Sequence, residues 1–471
     1  MSGALSVVLA ALLPAVTLDE VLASVDRHAP AIEVALADVD RAEGAYRAAR
    51  GPFDLMVKGD VGATPFGAYG ERSANLELAQ MLPFYGVTTY TGYRVGDDFA
   101  PYDGKRATST FGEVRAGVRV PLLRDALTDT ARTSRATALL DLDGSRHGVE
   151  RVRLTLRGRA ASAWVVFAAA RARREIAKDQ LVVAEERQSG IDAQVAAGAL
   201  AELEAIDNMR LILSRKERLV AADRDLVAAA VALSFFLRDD DGKMHVATLP
   251  DAPVLPNPDM SGLEVGRLVA DAFAHRPELR VVVARIDAER ARLRLAENDT
   301  LPKLTFDVSA AQDIGEVRAI HESLTTKNAT EVGVGLALEL PVQQSAARGR
   351  SRSLRASLRA LEAEQQMLRD QIELDVRDAH NALILSKEQI EIAHEAARLA
   401  ERLEVAERRR LALGQSTLLV VNLREQQAVL ARESLVAAET AALLARVRLD
   451  VATGKLSEGA PRFIGVAPDA R

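Results

Sequence analysis

A chain of 471 residues with 61 basic and 67 acidic side chains has a net charge of −6, which leaves no basic excess for gripping nucleic acid. It contains no cysteine, so disulfides, zinc–thiolate sites and a lipid-modified N-terminal cysteine are excluded. Hydrophobic residues make up 48% but aromatics only 4%, the Ala- and Leu-rich balance of long, coiled-coil-like helices.

The first 16 residues, MSGALSVVLAALLPAV, are apolar, end near small residues and are too short to span a bilayer as a helix. They read as the apolar region of a secretory signal, although no Lys or Arg precedes Arg27; a buried N-terminal helix turn is the alternative. A leading helix is expected over about 18–50. A strand follows at about 53–63, where Phe53, Leu55, Val57 and Val61 alternate with Asp54, Lys58 and Asp60. Residues 64–110 are rich in aromatics, among them Phe66, Tyr69, Phe84, Tyr85, Tyr90, Tyr93, Phe99 and Tyr102. Within them an extra hairpin is expected around Pro83–Gly86. Two readings stay open, aromatic anchoring at a membrane interface and a folded loop, and so does the question of whether the hairpin joins the other strands.

A second strand at about 112–121 sets Val114, Ala116, Val118 and Val120 against Glu113, Arg115 and Arg119. A long helix over about 127–197 carries the only tryptophan, Trp164, and a shorter one covers about 201–237. The Asp- and Pro-rich linker 238–260 then joins two halves, because the order begins again. "RHAPAIEVALADVDRAEGAYRAARGPFDLMVKGDV" around Pro30 is answered by "AHRPELRVVVARIDAERARLRLAENDTLPKLTFDV" around Pro277. The offset between copies is 247 at Pro30 and Pro277, 220 at Pro121 and Pro341, and 216 at Gly198 and Gly414. An insertion of 27 residues in the first copy's β-segment accounts for most of the change. The repeats span 17–237 and 261–455.

The second copy supplies a leading helix at about 263–298, strands at about 303–311 and 331–340, a long helix at 346–412 and a shorter one at 416–453. Leu304, Phe306, Val308 and Ala310 alternate with polar residues, as do Val332, Val334, Leu336, Leu338 and Leu340 with Glu and Gly. In the long helix, Leu354, Leu358, Leu361, Leu368 and Ile372 follow 3/4 spacing. The tail, 456–471, reads as disordered. Helices of some 70 residues reach roughly 100 Å at 1.5 Å per residue. A short helix set end to end with a leading helix has the length of one long helix, which implies a rod. The linker is expected to wrap its midsection.

Each alternating segment has roughly the ~9–11 residues that a tilted strand needs to cross a bilayer. A half-buried sheet in a soluble protein has the same period. The balance shifts because no further helices are available to cover an apolar sheet face at the end of such a rod. Open sheet edges cannot sit in lipid, and four strands cannot close a barrel, so several chains would have to contribute.

Duplicated helix, strand pair, long helix, turn and helix, with Gly at both turns, resembles the TolC-like outer membrane efflux protein family. The residues that carry the likeness are "TLDEVLASVDRHAPAI", the strand entries at Pro52 and Pro302, the exits "VPLL" and "LPV", and the turn "RRLALGQSTLLVVNLREQQAVL" from Arg409 to Leu430. It covers about 17–455. The first turn, "AAGALAELEAI", departs from the pattern, lacking a Ser or Thr after Gly and a basic residue before it, and the aromatic insertion lies outside the family's minimal plan. The resemblance implies an α+β, mostly α fold. Duplicated long helical hairpins would form a trimeric α-barrel tunnel, joined to a transmembrane β-barrel with about four strands per chain. It further implies a homotrimer in the outer membrane of a Gram-negative bacterium, with the helices in the periplasm. An inner-membrane pump and a periplasmic adaptor (membrane fusion) protein would drive efflux of small toxic molecules or secretion of proteins through it.

On that resemblance the helix tips are where the adaptor docks, with Gly198, Ala199, Leu200, Leu413, Gly414, Gln415, Ser416 and Thr417 as candidates. Gly198 and Gly414 suit the left-handed residue that ends a helix, and Ser416 or Thr417 serves equally well as an N-cap. Glu388, Glu391 and Glu395, spaced i, i+3, i+7, form either a tunnel-constriction ring in a trimer or a solvated helix face. Arg408, Arg409 and Arg410 fit pairing with a neighbour's or adaptor's acids, or a plain preference for cations at a helix C-terminus. The seven histidines (His28, His147, His245, His275, His321, His380 and His394) have no metal-ligand spacing, and "GVG" at 333–335 lies in a strand rather than a phosphate loop. No cofactor, metal or catalytic residue is expected, and the chain reads as no enzyme. Two other classes are a periplasmic coiled-coil scaffold that transports nothing and the adaptor itself. The adaptor predicts a single hairpin between Gly-rich lipoyl-like halves, which this chain lacks.

Overall fold

The structure, a computed structural model, describes residues 15–66, 70–97, 107–248, 251–262, 264–316, 330–457 and 463–464. The signal-like segment lies almost wholly outside them. Two compact units form, and each draws on both sequence repeats: one comprises Ala37–Arg146 and Arg280–Gln366, the other Met1–Leu36, His147–Leu279 and Met367–Arg471.

Among the described residues there are eight α-helices: α1 Leu18–His28, α2 Pro30–Ala48, α3 Thr130–Ala196, α4 Glu202–Ser234, α5 Val265–His275, α6 Pro277–Asn298, α7 Ser345–Ala412 and α8 Leu418–Ala452. The long ones, α3 and α7, run uninterrupted for 67 and 68 residues. The leading helices differ from the sequence expectation, because each is two helices. Pro30 and Pro277 are the first residues of α2 and α6, and Ala29 and Arg276 before them are extended (ψ 117° and 115°). Proline clashes with a helical preceding residue and lacks the N–H that would continue the ladder, so the helix stops and restarts. Thr17 and Glu20 close a capping box at the start of α1, and Glu264 caps α5 by accepting from the Gly266 and Arg267 N–H groups.

In the helical unit, Leu268, Ala272, Leu279, Ile372, Val376, Ala379, Leu383, Ala445, Leu449 and Ala452 form one buried cluster of α5, α6, α7 and α8. The end of α8 meets the α5–α6 break, where Arg276 reaches the carbonyls of Val451 (3.3 Å) and Ala452 (3.5 Å). Likewise the Arg238 N–H beyond α4 donates to Ser24 of α1 (2.8 Å). Trp164 is buried and donates to the Val16 carbonyl (2.8 Å). One expectation for this region needs correction. Phe463–Ile464 pairs antiparallel with Asn257–Pro258, and Leu456 is buried, so part of the tail has a defined place.

The other unit contains the sheet: β1 Met56–Ala63, β2 Arg72–Met81, β3 Thr88–Asp97, β4 Glu113–Pro121, β5 Lys303–Asp313 and β6 Thr330–Glu339, all antiparallel and in sequence order. The expectation of about four strands is therefore corrected to six, because the aromatic insertion contributes β2 and β3. Phe53 falls in a 3₁₀ turn and Leu55 precedes β1, since Pro52 cannot donate to a ladder.

The register sorts side chains between two faces. One holds Val57, Val61, Leu76, Leu78, Tyr93, Val114, Val118, Leu304, Phe306, Val308, Val332, Val334, Leu336 and Leu338. Val61 is 86% exposed, and the β6 residues Val332 to Leu338 are each about two-thirds exposed. The opposite face is a lattice of paired polar groups. Arg94 binds Glu113 through two hydrogen bonds (2.9 and 2.8 Å), and Arg115 reaches Glu77 (2.8 Å) and Asn75 (3.3 Å). Asn75 in turn donates to Asp60 (3.0 Å). The Tyr90 ring lies across Gly117, where a Cβ would come within 2.3 Å of it, and its hydroxyl reaches Asp307 of β5 (3.2 Å). Among the described residues no helix is long and apolar enough to cross a membrane.

Candidate functional site

The two helix tips, both in the helical unit, close by the same set of bonds. The Gly198 and Ala199 N–H groups donate to the carbonyls of Val195 and Gln194, and those of Gly414 and Gln415 to Leu411 and Arg410. Adding 216 to each number of the first tip gives the second. These are the paired bonds of a helix end whose next residue is left-handed, and Gly198 (φ 68°) and Gly414 (φ 72°) occupy that position. A Cβ at either glycine would meet nothing within 4 Å, so backbone conformation alone calls for glycine.

Ala199, Leu413, Gln415 and Thr417 are exposed, Leu413 to 72%, while Leu200 and Ser416 are half-buried. Thr417 is the N-cap residue of α8, yet its side chain makes no capping bond, and the Ser416 hydroxyl instead donates back to Glu407 (2.5 Å). At the first tip, Ala201 occupies the N-cap without a side chain able to cap.

Behind the tips lies a buried cluster that the sequence reading did not find. Glu425 of α8 is 0% exposed and accepts from Arg187 of α3, Arg215 of α4 (2.7 Å) and Arg408 of α7 (3.1 Å). Burial by itself would raise the Glu425 pKa. The three guanidinium groups outweigh it, and the carboxyl titrates below its ordinary range. Glu404, also buried, accepts from Arg408 (2.6 Å); burial dominates there and raises its pKa against the pull of Arg408 and Arg432. Arg187 also donates to Asn422 (2.7 Å), and Arg215 to the Gln180 carbonyl (2.6 Å). Arg408 thus pairs within its own chain, and Arg410 reaches Glu407 (3.6 Å). A signal for the cluster was present. Glu425 stands in the core-facing row of Val421, Ala428 and Val429, where an apolar residue is the rule.

Glu388, Glu391 and Glu395 lie exposed along α7. Glu395 is held by Arg398 (2.5 and 2.8 Å), whose hydrogen bonds lower its pKa. The structure does not bring these three to the Glu425 cluster. Among the described residues, no group of three or more His, Asp or Glu could hold a metal ion.

Residues 268–455 match the outer membrane efflux protein family. This second half of the chain is therefore similar to that family. Over 192 residues it is 27% identical to the pyoverdine export outer membrane protein OpmQ of Pseudomonas putida, covering 41% of this chain and 40% of that protein. The match thus spans less than half of the relative's length. Among solved structures, a membrane protein from Pseudomonas aeruginosa superposes with a TM-score of 0.64 at 16% identity, covering 93% of both chains. The outer membrane protein VceC of Vibrio cholerae does so at 0.62 and 16%, covering 93% of this chain and 96% of that one. At such identities the likeness is one of fold. Over nearly its whole length the chain thus has the fold of these membrane proteins.

Proposed function

We propose that the chain is the outer-membrane channel of a tripartite export system, a passive homotrimeric conduit driven by an inner-membrane pump through a periplasmic adaptor. One observation carries the reading: a six-stranded antiparallel sheet exposes an apolar face while its other face is a lattice of paired charges. Its strands of 8 to 11 residues have the length of tilted membrane strands. Water on the charged face and lipid on the apolar one is the arrangement that satisfies both. Exposed aromatics at the two ends of the strands, Phe84 and Tyr85 at one and Phe66 and Phe111 at the other, suit the two girdles of such a barrel. Open edges cannot remain in lipid, so the β1 edge of one copy closes on the β6 edge of the next; an even number of strands makes that pairing antiparallel.

In this reading the tips dock the adaptor through Gly198, Ala199, Leu200, Leu413, Gly414, Gln415, Ser416 and Thr417. The exposed Leu413 supplies apolar contact, and the twin turns offer the adaptor two equivalent sites per chain. Glu388, Glu391 and Glu395 form the constriction ring, with the charge of Glu395 partly balanced by Arg398. The likeness to a pyoverdine export protein supports a small secreted molecule as cargo. Introducing Leu413→Glu together with Ser416→Arg tests the assignment. Export is expected to cease while trimers remain in the outer membrane; intact export would show that docking lies elsewhere.

A further inference from the structure

The aromatic insertion forms more of the sheet than the two-repeat plan requires, and its geometry is that of wall rather than loop. β2 returns from the far end of β1 to the end nearest the helices, the chain turns through Pro83–Gly86, and β3 runs back. The turn itself is seated. Gly86 (φ 61°) lies so close to the segment leading into α3 that a Cβ would fall 2.5 Å from the Asp125 carbonyl and 3.0 Å from Pro121. Gln80 also donates to the Phe53 carbonyl where β1 is entered (3.2 Å). β3 pairs with β4 from Arg94–Glu113 to Thr88–Arg119, nearly the full height of β4.

Charge order points the same way. Along one rung of the ladder lie Lys58, Glu77, Gly92 and Arg115; along another lie Asp60, Asn75, Arg94 and Glu113. Were β1 paired directly with β4 on these rungs, Lys58 would oppose Arg115 and Asp60 would oppose Glu113, like against like. The hairpin places Glu77 and Arg94 between them, each bonded to its opposite on β4. On the other face Leu76, Leu78, Tyr93 and Val95 continue the apolar band across from Val57 to Val114.

We propose that the hairpin Arg72–Asp97 is a permanent part of the transmembrane wall, so that a closed ring of three chains has 18 strands rather than 12. This rests on the channel reading above. Barrel diameter grows roughly linearly with strand number, so the lumen would be about half as wide again as that of a 12-stranded ring.

Single cysteines in this cysteine-free chain test the proposal, read by labelling cells with a charged, membrane-impermeant thiosulfonate. Leu76→Cys and Leu78→Cys probe the hairpin's apolar face and Ser73→Cys its polar face. Val334→Cys and Ser309→Cys do the same for β6 and β5. Loss of labelling at positions 76, 78 and 334, with labelling at 73 and 309, is the expected result. Labelling at 76 and 78 as fast as at 73, with 334 still protected, would make the hairpin a surface excursion and overturn the inference alone. Labelling at 334 as well would overturn the channel reading with it.

Discussion

Glu425 carries the heaviest electrostatic burden of any residue described here: a fully buried carboxylate shared by three arginines from three other helices. Removing one partner of a buried ion cluster leaves charges uncompensated, so Glu425→Ala should cost about 3–5 kcal/mol of stability. Faster tryptic cleavage near the tips, with a lower melting temperature, would register it. Because the folded-state pKa of Glu425 lies below its unfolded value, its stabilisation is complete above the ordinary carboxylate range. It is lost as pH falls through the folded pKa. A melting curve taken against pH should therefore drop on acidification, and Glu425→Gln should flatten that drop. The two tip glycines were legible in the sequence because each appears at the end of a repeated pattern. Glu425 was not, since its partners are brought to it by three other helices and only its misplaced polarity within an apolar row marks it. Gly198→Ala or Gly414→Ala should cost roughly 1–2 kcal/mol, the penalty of a left-handed turn with a Cβ, with no steric clash added. Thermal melts of the single variants check this.

At the scale of elements, α7 and α3 lie within a few residues of the stretches read as helical, where 3/4 spacing marks part of α7, α3 is its counterpart in the other repeat, and no proline interrupts either. The breaks at Pro30 and Pro277 were harder to read, since the apolar period continues on both sides of each proline. Strand number was underestimated for a different reason. The hairpin itself was expected, but β3 intersperses Gly, Thr and Tyr among its apolar residues and β2 has few large apolar ones, so only the register shows that they join a continuous face. The polar lattice that holds the inserted strands makes a sharp prediction. Arg115→Glu sets an acid beside Glu77 and should lower the temperature at which the protein loses its folded mobility on a gel. The exchange Arg115→Glu with Glu77→Arg should restore much of it, while an unrestored double variant would mean that this pair does not couple the strands.

For the whole molecule, the order of helices and strands was legible from the duplication, while the two units cut across it. Each repeat contributes strands to one unit and a helical tip to the other, so neither repeat has a complete core of its own. Expression of either repeat alone should yield aggregated or proteolysed chain rather than a folded half, which limited proteolysis would report. What remains central is the medium that covers the apolar face of the sheet. A tryptophan placed there by Val334→Trp can be compared with one on the polar face, Ser309→Trp, in vesicles of brominated lipid, against the parent whose single Trp164 lies buried in α3. Strong quenching of the added signal at 334 and little at 309 is the predicted result; equal, weak quenching at both positions would contradict it.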